Sequence, residues 1–151
     1  MTTVAAAVLA RLVSQIPGGV AYDPTSAPTA GQVPIFDGTV PSSLACTQWV
    51  VVYCDSGTVS WEAVDAVSRT GFFRVQTTSV AVDQYRGSAM AGWLSARVRD
   101  ALVDWVPVGV TGWSCSPIVH DLAQPPRRDD DVLERVTTYA VDQLHLIADR
   151  A

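Results

Sequence analysis

Cys46, Cys54, Cys115 and His120 are the thiol and imidazole side chains nearest one another in the strand-rich part of this 151-residue chain, and they are its strongest soft-metal candidates. Zinc sites usually draw their ligands from closely spaced pairs on a tight knuckle. Here Cys46 and Cys54 are eight residues apart, and Cys115 and His120 lie along an extended run. The pattern therefore reads as free thiols packing as small hydrophobes, and neither a metal nor another cofactor is expected. Nucleophilic catalysis is as poorly provided for. The stretch GWSCS at 112–116 lacks the second glycine of a nucleophile elbow and follows a helix instead of a strand. His120 and Asp121 are adjacent, so on a strand they point to opposite faces and cannot act as a base with its orienting acid. His145 alternates with Gln143 against Leu144 and Leu146, which places it on a wet or interface-facing side. Glu62 and Glu134 form no motif, and a pair of carboxylates for acid and base work would have to come from distant positions.

The most concentrated charge is Arg127-Arg128 followed by Asp129-Asp130-Asp131, within the polar stretch AQPPRRDDD at 123–131. Opposite blocks side by side nearly cancel beyond about one Debye length, roughly 8 Å, which fits a solvated loop. Around a symmetric ring, the same residues could set register by meeting their opposites on a neighbouring subunit. These five are the subunit-interface candidates. Five tryptophans, at 49, 61, 93, 105 and 113, are many for this length. Core packing is their ordinary use, and Trp61 and Trp113 near turns could instead be half covered at an interface.

Composition narrows the classes further. The chain has 10 Arg and no Lys against 15 Asp and Glu, giving a formal charge of −5. Without lysine there is no P-loop, Schiff-base amine or kinase-type phosphate contact. No G-x-G occurs, so a dinucleotide fingerprint is missing as well. An acidic balance argues against a broad grip on nucleic-acid phosphates, though not against DNA passing nearby. At 48% hydrophobic and 17% charged, the composition excludes disorder, and no apolar run approaches the roughly 20 residues that span a bilayer. The apolar N-terminal run has no basic residue ahead of it, unlike a secretory signal. With an odd cysteine count, this suggests a reducing, cytoplasmic setting. A chain of this length is expected to be one domain, residues 1–151.

The elements that must position these residues follow from periodicity. Thr3 to Ile16 places Val4, Val8, Leu9, Leu12, Val13 and Ile16 at helical spacing, with Thr2 or Thr3 as N-cap and Pro17-Gly18-Gly19 as the stop. Residues 18–43 read as loop around one short strand, Val33 to Phe36. Thr47 to Cys54 is apolar on both alternating sets, as in a central strand covered on both faces. Thr58 to Ala66 fits a strand or a helix, and Gly71 to Val82 alternates as a strand with one buried face. From Asp83, a plausible N-cap, Met90, Leu94, Val98, Ala101, Leu102 and Trp105 form one helical stripe that stops at Pro107. Trp113 to Leu122 and Val132 to Ile147 read as a long hairpin about the charged loop. The expected fold is α+β: a mixed or antiparallel sheet of four to five strands packed by two α-helices.

Across nearly its whole length the chain resembles the tail terminator, or tail completion, proteins of long-tailed bacteriophages, particularly those of actinobacteria. The resemblance rests on the N-terminal amphipathic helix and on PIFDGTVP at 34–41 leading into QWVVVY at 48–53. It continues through FRVQTTSVA at 73–81, the helix DQYRGSAMAGWLSARVRDAL, and RVTTYAVDQLHL at 135–146. It implies a non-enzymatic virion protein of the tail or neck, assembled in the host cytoplasm as a six-membered ring on the head-proximal end of the tail tube. The implied partners are further copies of the chain, the major tail tube protein and a head-closure or connector protein. Double-stranded DNA would pass through the channel without sequence-specific binding, and no membrane is involved. The rival readings are another neck component or minor tail protein and, more distantly, a small α+β enzyme or metal-binding domain built on Cys46, Cys54, Cys115 and His120.

Overall fold

Thr70–Val82 and Val136–Arg150, the two longest strands, pair antiparallel over thirteen positions, from Thr70 against Asp149 to Val82 against Thr137. In the computed structural model, which describes residues 2–41, 46–55, 58–60, 70–83, 85–130 and 136–151, this pair is the spine of the molecule. In chain order the elements are α1 (Val4–Gln15), β1 (Gly19–Ala21), β2 (Val33–Asp37), β3 (Gln48–Cys54), β4 (Thr58–Ser60), β5 (Thr70–Val82), α2 (Gly87–Leu102), β6 (Trp113–Cys115), β7 (Val119–Ala123), β8 (Arg127–Asp130) and β9 (Val136–Arg150). The sheet runs β1-β2-β3-β5-β9. β4 also pairs with β5, and β6, β7 and β8 lie one after another along the free edge of β9. The β1–β2 and β2–β3 pairings are parallel and the rest antiparallel, so the sheet is mixed.

The fold is α+β with two helices, as the sequence suggests, but the described sheet has nine strands instead of four or five. The difference arises mainly at the C-terminal end, where the sequence reads as one long hairpin. The partner of β9 is broken into three pieces because Pro117, Pro125 and Pro126 cannot donate to a ladder and a bulge interrupts the register between His120 and Leu122. Such breaks blunt an edge that could otherwise pair with another sheet. β1, only three residues long, is the other addition, before β2. Of the stretch Thr58 to Ala66, residues 58–60 form β4, and the remainder lies outside the described residues.

Both helices cover one face of the sheet. α1 is rich in alanine, a strong helix former, and the Thr3 hydroxyl caps it by accepting the N–H of Ala6. Its Val4, Val8 and Leu12, one turn apart, are buried with Leu94, Val98 and Leu102 of α2 against Val50, Val52, Phe73, Val75, Leu144 and Leu146 of the sheet. Truncating a side chain as enclosed as Leu94 costs about 2–5 kcal/mol. α2 begins at Gly87 and not at Asp83, and it ends at Leu102, short of Trp105. Asp83 instead caps the preceding turn through its side chain. The C-terminal stop comes from Val103, which turns extended, and from Asp104, which adopts φ 63°.

The opposite face is covered unevenly. Phe36 and Val51 are buried there with Tyr22, Val40, Cys46 and Trp49 around them, whereas Tyr53 is 46% exposed. The expectation that β3 is covered on both faces therefore holds for Val50, Val51 and Val52 but fails at its C-terminal end. No helix among the described residues is long and apolar enough to cross a membrane.

Candidate functional site

Two places gather the side chains with chemical potential, one on each face of the sheet. On the helix-covered face, Asp142 of β9 is fully buried. Its carboxylate accepts from the Ser95 hydroxyl of α2, from Arg99 Nη1 at 3.0 Å and from His120 Nε2 of β7 at 2.9 Å. Arg99 Nη1 also donates to Ser95 Oγ at 2.9 Å. Three elements are thus tied to one charge, which satisfies the rule that a buried carboxylate must be paired and hydrogen-bonded. Thr77, the register partner of Asp142, and Ser79 two residues on are also fully buried, and among the described residues their hydroxyls have no hydrogen-bond partner.

Serine, histidine and aspartate meet here, but in the wrong order for nucleophilic catalysis. In a working triad the imidazole stands between hydroxyl and carboxylate to take the serine proton. Here the carboxylate stands between them. Ser95 is also 3% exposed, out of reach of a substrate. The arrangement suits locking α2 and β7 onto β9.

On the other face, the uncovered ends of β2, β3, β5 and β7 bound a cavity of about 690 Å3. Its walls include Tyr53, Phe72 and Gln143, and its rim carries Asp37, Asp55, Asp121 and Arg74. Asp121 Oδ1 lies 2.7 Å from His145 Nδ1, and the His145 ring stacks on Phe72 with centroids 5.0 Å apart. Exposed Val119, Leu122 and Ile147 extend this surface toward the β6–β7 edge.

The metal candidates do not assemble into one site. Cys54 and Cys115 pack against the helix-side core, Cys46 belongs to the cluster on the opposite face, and His120 is engaged by Asp142. Among the described residues, no group of three or more His, Cys, Asp or Glu is placed to hold a metal ion. Burial, reinforced by the charges of Asp55 and Asp37, pushes the Cys54 thiol up to about 11, and burial also raises Cys115. Both favour the unreactive thiol form.

The charged run at 123–131 is not simply a loop. Arg127 to Asp130 form β8, paired with Tyr139, Thr138, Thr137 and Val136 of β9. The alternation of a strand sends Arg127 and Asp129 to the open face with Tyr139, and Arg128 to the helix side with Thr138. Asp131, Glu62, Glu134 and Trp61 lie outside the described residues. His120 and Asp121 do diverge, each taking its partner from β9 on a different face.

Asp142, Ser95 and Arg99 belong to no sequence motif. The signal was present: Asp142 falls in the alternating set of Ala140, Leu144 and Leu146, and Ser95 falls in the buried stripe of Ala91, Leu94 and Val98. A polar residue inside an apolar set at the right period marks a buried network.

No protein-family profile matches the sequence, and no curated protein sequence matches it. Among solved structures, the chain is similar to one described as the virion of a native gene transfer agent (GTA) particle. The two are 16% identical with a TM-score of 0.59, over 97% of this chain and 95% of that one. At that identity the likeness establishes a shared fold from nearly end to end.

Proposed function

We propose that residues 1–151 act as one domain and that the protein is a non-enzymatic virion component, a tail terminator. It assembles as a hexameric ring on the head-proximal end of the tail tube, stops tube polymerisation and joins the tail to the head connector. The observation that carries this reading is the fold likeness to a chain of a gene transfer agent virion, which leaves almost no part of either chain over. It agrees with the independent resemblance of the sequence to phage tail terminators. Asp142 and Ser95 at the centre of the polar network are buried where they can brace the fold, and the open face offers apolar and charged surface for neighbours.

Capping requires a layer that binds the last tube ring and presents no further tube-binding face. The partners would be the tube protein below, the head-closure protein above and further copies of this chain around the ring. An acidic chain suits a channel through which DNA must pass without being held. We assign β8, with Arg127, Arg128, Asp129 and Asp130, and the following Asp131 to the contact between subunits. The deciding experiment is electron microscopy of lysates from a phage whose copy of this gene carries an early stop codon. Overlong tails unattached to filled heads are expected. Tails of normal length would refute capping.

A further inference from the structure

The turn between β5 and α2 presents two exposed side chains, Tyr85 and Arg86, of which Arg86 carries a charge that acts on Asp83. Tyr85 is 87% exposed, the most exposed large apolar side chain among the described residues, and Arg86 beside it is exposed as well. Asp83 braces the backbone that carries them. Asp83 Oδ1 accepts the N–H of Tyr85 at 2.8 Å and of Arg86 at 2.7 Å, and these two bonds hold its carboxyl below the usual aspartate range. An aromatic ring beside a guanidinium has the composition of an interface anchor, since Tyr and Arg are among the residues that dominate binding energy, and backbone hydrogen bonds made beforehand lower the cost of docking.

The complementary surface lies at the other end of the same strand. The cavity of about 690 Å3 has Tyr53 and Phe72 as aromatic walls, and its rim sets Asp37, Asp55 and Asp121 against Arg74. Its size is that of an ordinary binding pocket; Asp121 is paired with His145 and Asp55 accepts the Arg74 N–H, and the exposed Asp37 carboxylate is the rim group that can receive a cation. From Arg74 to Asp83 the chain runs nine residues, about 30 Å at the rise of a strand, so knob and groove cannot meet within one molecule.

We infer that Tyr85 and Arg86 of one copy of this chain dock, head to tail, into the acid-rimmed groove of a second copy. The surfaces differ, so the contact is heterologous, and repeating it closes a ring or propagates a filament. The inference rests on the ring reading and supplies that reading with a specific contact. A second copy is the occupant because the exposed Arg86 guanidinium and the exposed Asp37 carboxylate of the groove, of opposite charge, occur on one chain at opposite ends of β5.

The test uses the full chain with Tyr85→p-benzoylphenylalanine, irradiated at high protein concentration, with the joined peptides identified by mass spectrometry. Cross-linked dimers are expected in which position 85 is joined to the peptide holding Tyr53 or the one spanning 72–76. Arg86→Asp and Asp37→Arg are each expected to lower dimer yield about ten-fold, and the two together to restore most of it. Both side chains are exposed, and an aspartate at the start of α2 suits the helix dipole, so circular dichroism of the variants should remain native. No chain-to-chain product, a product joined elsewhere, yields unchanged by Arg86→Asp, or failure of the double reversal to recover would each overturn the inference. Copies that associate through other surfaces would sink this contact and spare the ring. The expected cross-link together with normal tails in the stop-codon phage would sink capping and spare the contact.

Discussion

His120 Nε2 and Asp142 Oδ1 lie 2.9 Å apart on the helix-covered side of the sheet, joining β7 to β9 at the point where Ser95 and Arg99 of α2 reach the same carboxylate. The pairing follows from register: His120 stands opposite Leu144, and Asp142 is two residues along β9 on the same face. One buried charge therefore gathers donors from a short edge strand and from a helix that are distant in sequence.

Replacing Asp142 by Ala leaves Ser95, Arg99 and His120 without their shared acceptor. Removing one partner of a buried pair costs about 3–5 kcal/mol. The lower part of that range is expected here, because the Arg99 side chain is 35% exposed and can reach water. Urea unfolding measures it, and a loss below about 1 kcal/mol would show that the network is not a brace. Ser95→Ala, which removes one neutral donor, should cost less.

Gly87 opens α2 with no room for a side chain, since an added Cβ would stand 2.5 Å from Thr138 Oγ1 and 3.2 Å from Thr138 Cβ. Helix propensity alone favours Gly87→Ala by up to about 1 kcal/mol. Overpacking should reverse the sign and destabilise by about 1–3 kcal/mol. In a Thr138→Ala background the penalty should largely vanish, and a thermal-melt cycle over the four proteins decides it.

The turn held by Asp83 carries a pH signature. Its folded-state pKa lies below the ordinary 3.8 because it accepts the N–H of Arg86 first and of Tyr85 second. A depressed carboxyl contributes stability above its unfolded pKa and loses it as pH falls through the folded one. Asp83→Ala should thus lower the melting temperature at neutral pH, and the gap from the parent should close as pH drops below about 4. A gap independent of pH would discount the ionised cap.

Cys54, held as the thiol by burial and by the charges of Asp55 and Asp37, should alkylate slowly. A shift from 9.0 to about 11 lowers the thiolate fraction at pH 8 about a hundred-fold. Residue-resolved mass spectrometry after iodoacetamide treatment should show Cys54 labelling far behind a free cysteine, and equal rates would contradict the environment described.

Because β8 is a strand, reversing its charges is a surface change. Arg127→Asp with Arg128→Asp should reduce association of subunits while leaving the far-ultraviolet spectrum native. Undiminished association would remove β8 from the subunit contact.

Strong local periodicity made much of the architecture legible in the sequence. The Thr3 cap and the Val4, Val8, Leu12 stripe specify α1, the alternation of Phe73 and Val75 against Arg74 and Gln76 specifies β5, and the stripe through Leu94, Val98 and Leu102 specifies α2. The α+β class follows from those patterns, and the sequence alone also determines the lack of lysine and of a nucleotide-binding glycine motif. What only the tertiary structure decided was long-range. Three short strands share β9 because prolines and a bulge break their row. Arg127 and Arg128 separate onto different faces because backbone pairing, not local charge, rules there. Asp142, Ser95 and His120 converge although 22 to 47 residues separate the aspartate from its partners. Periodicity reports which face a residue takes, but which distant residue shares that face depends on strand order and register, and these are fixed only when the whole sheet forms.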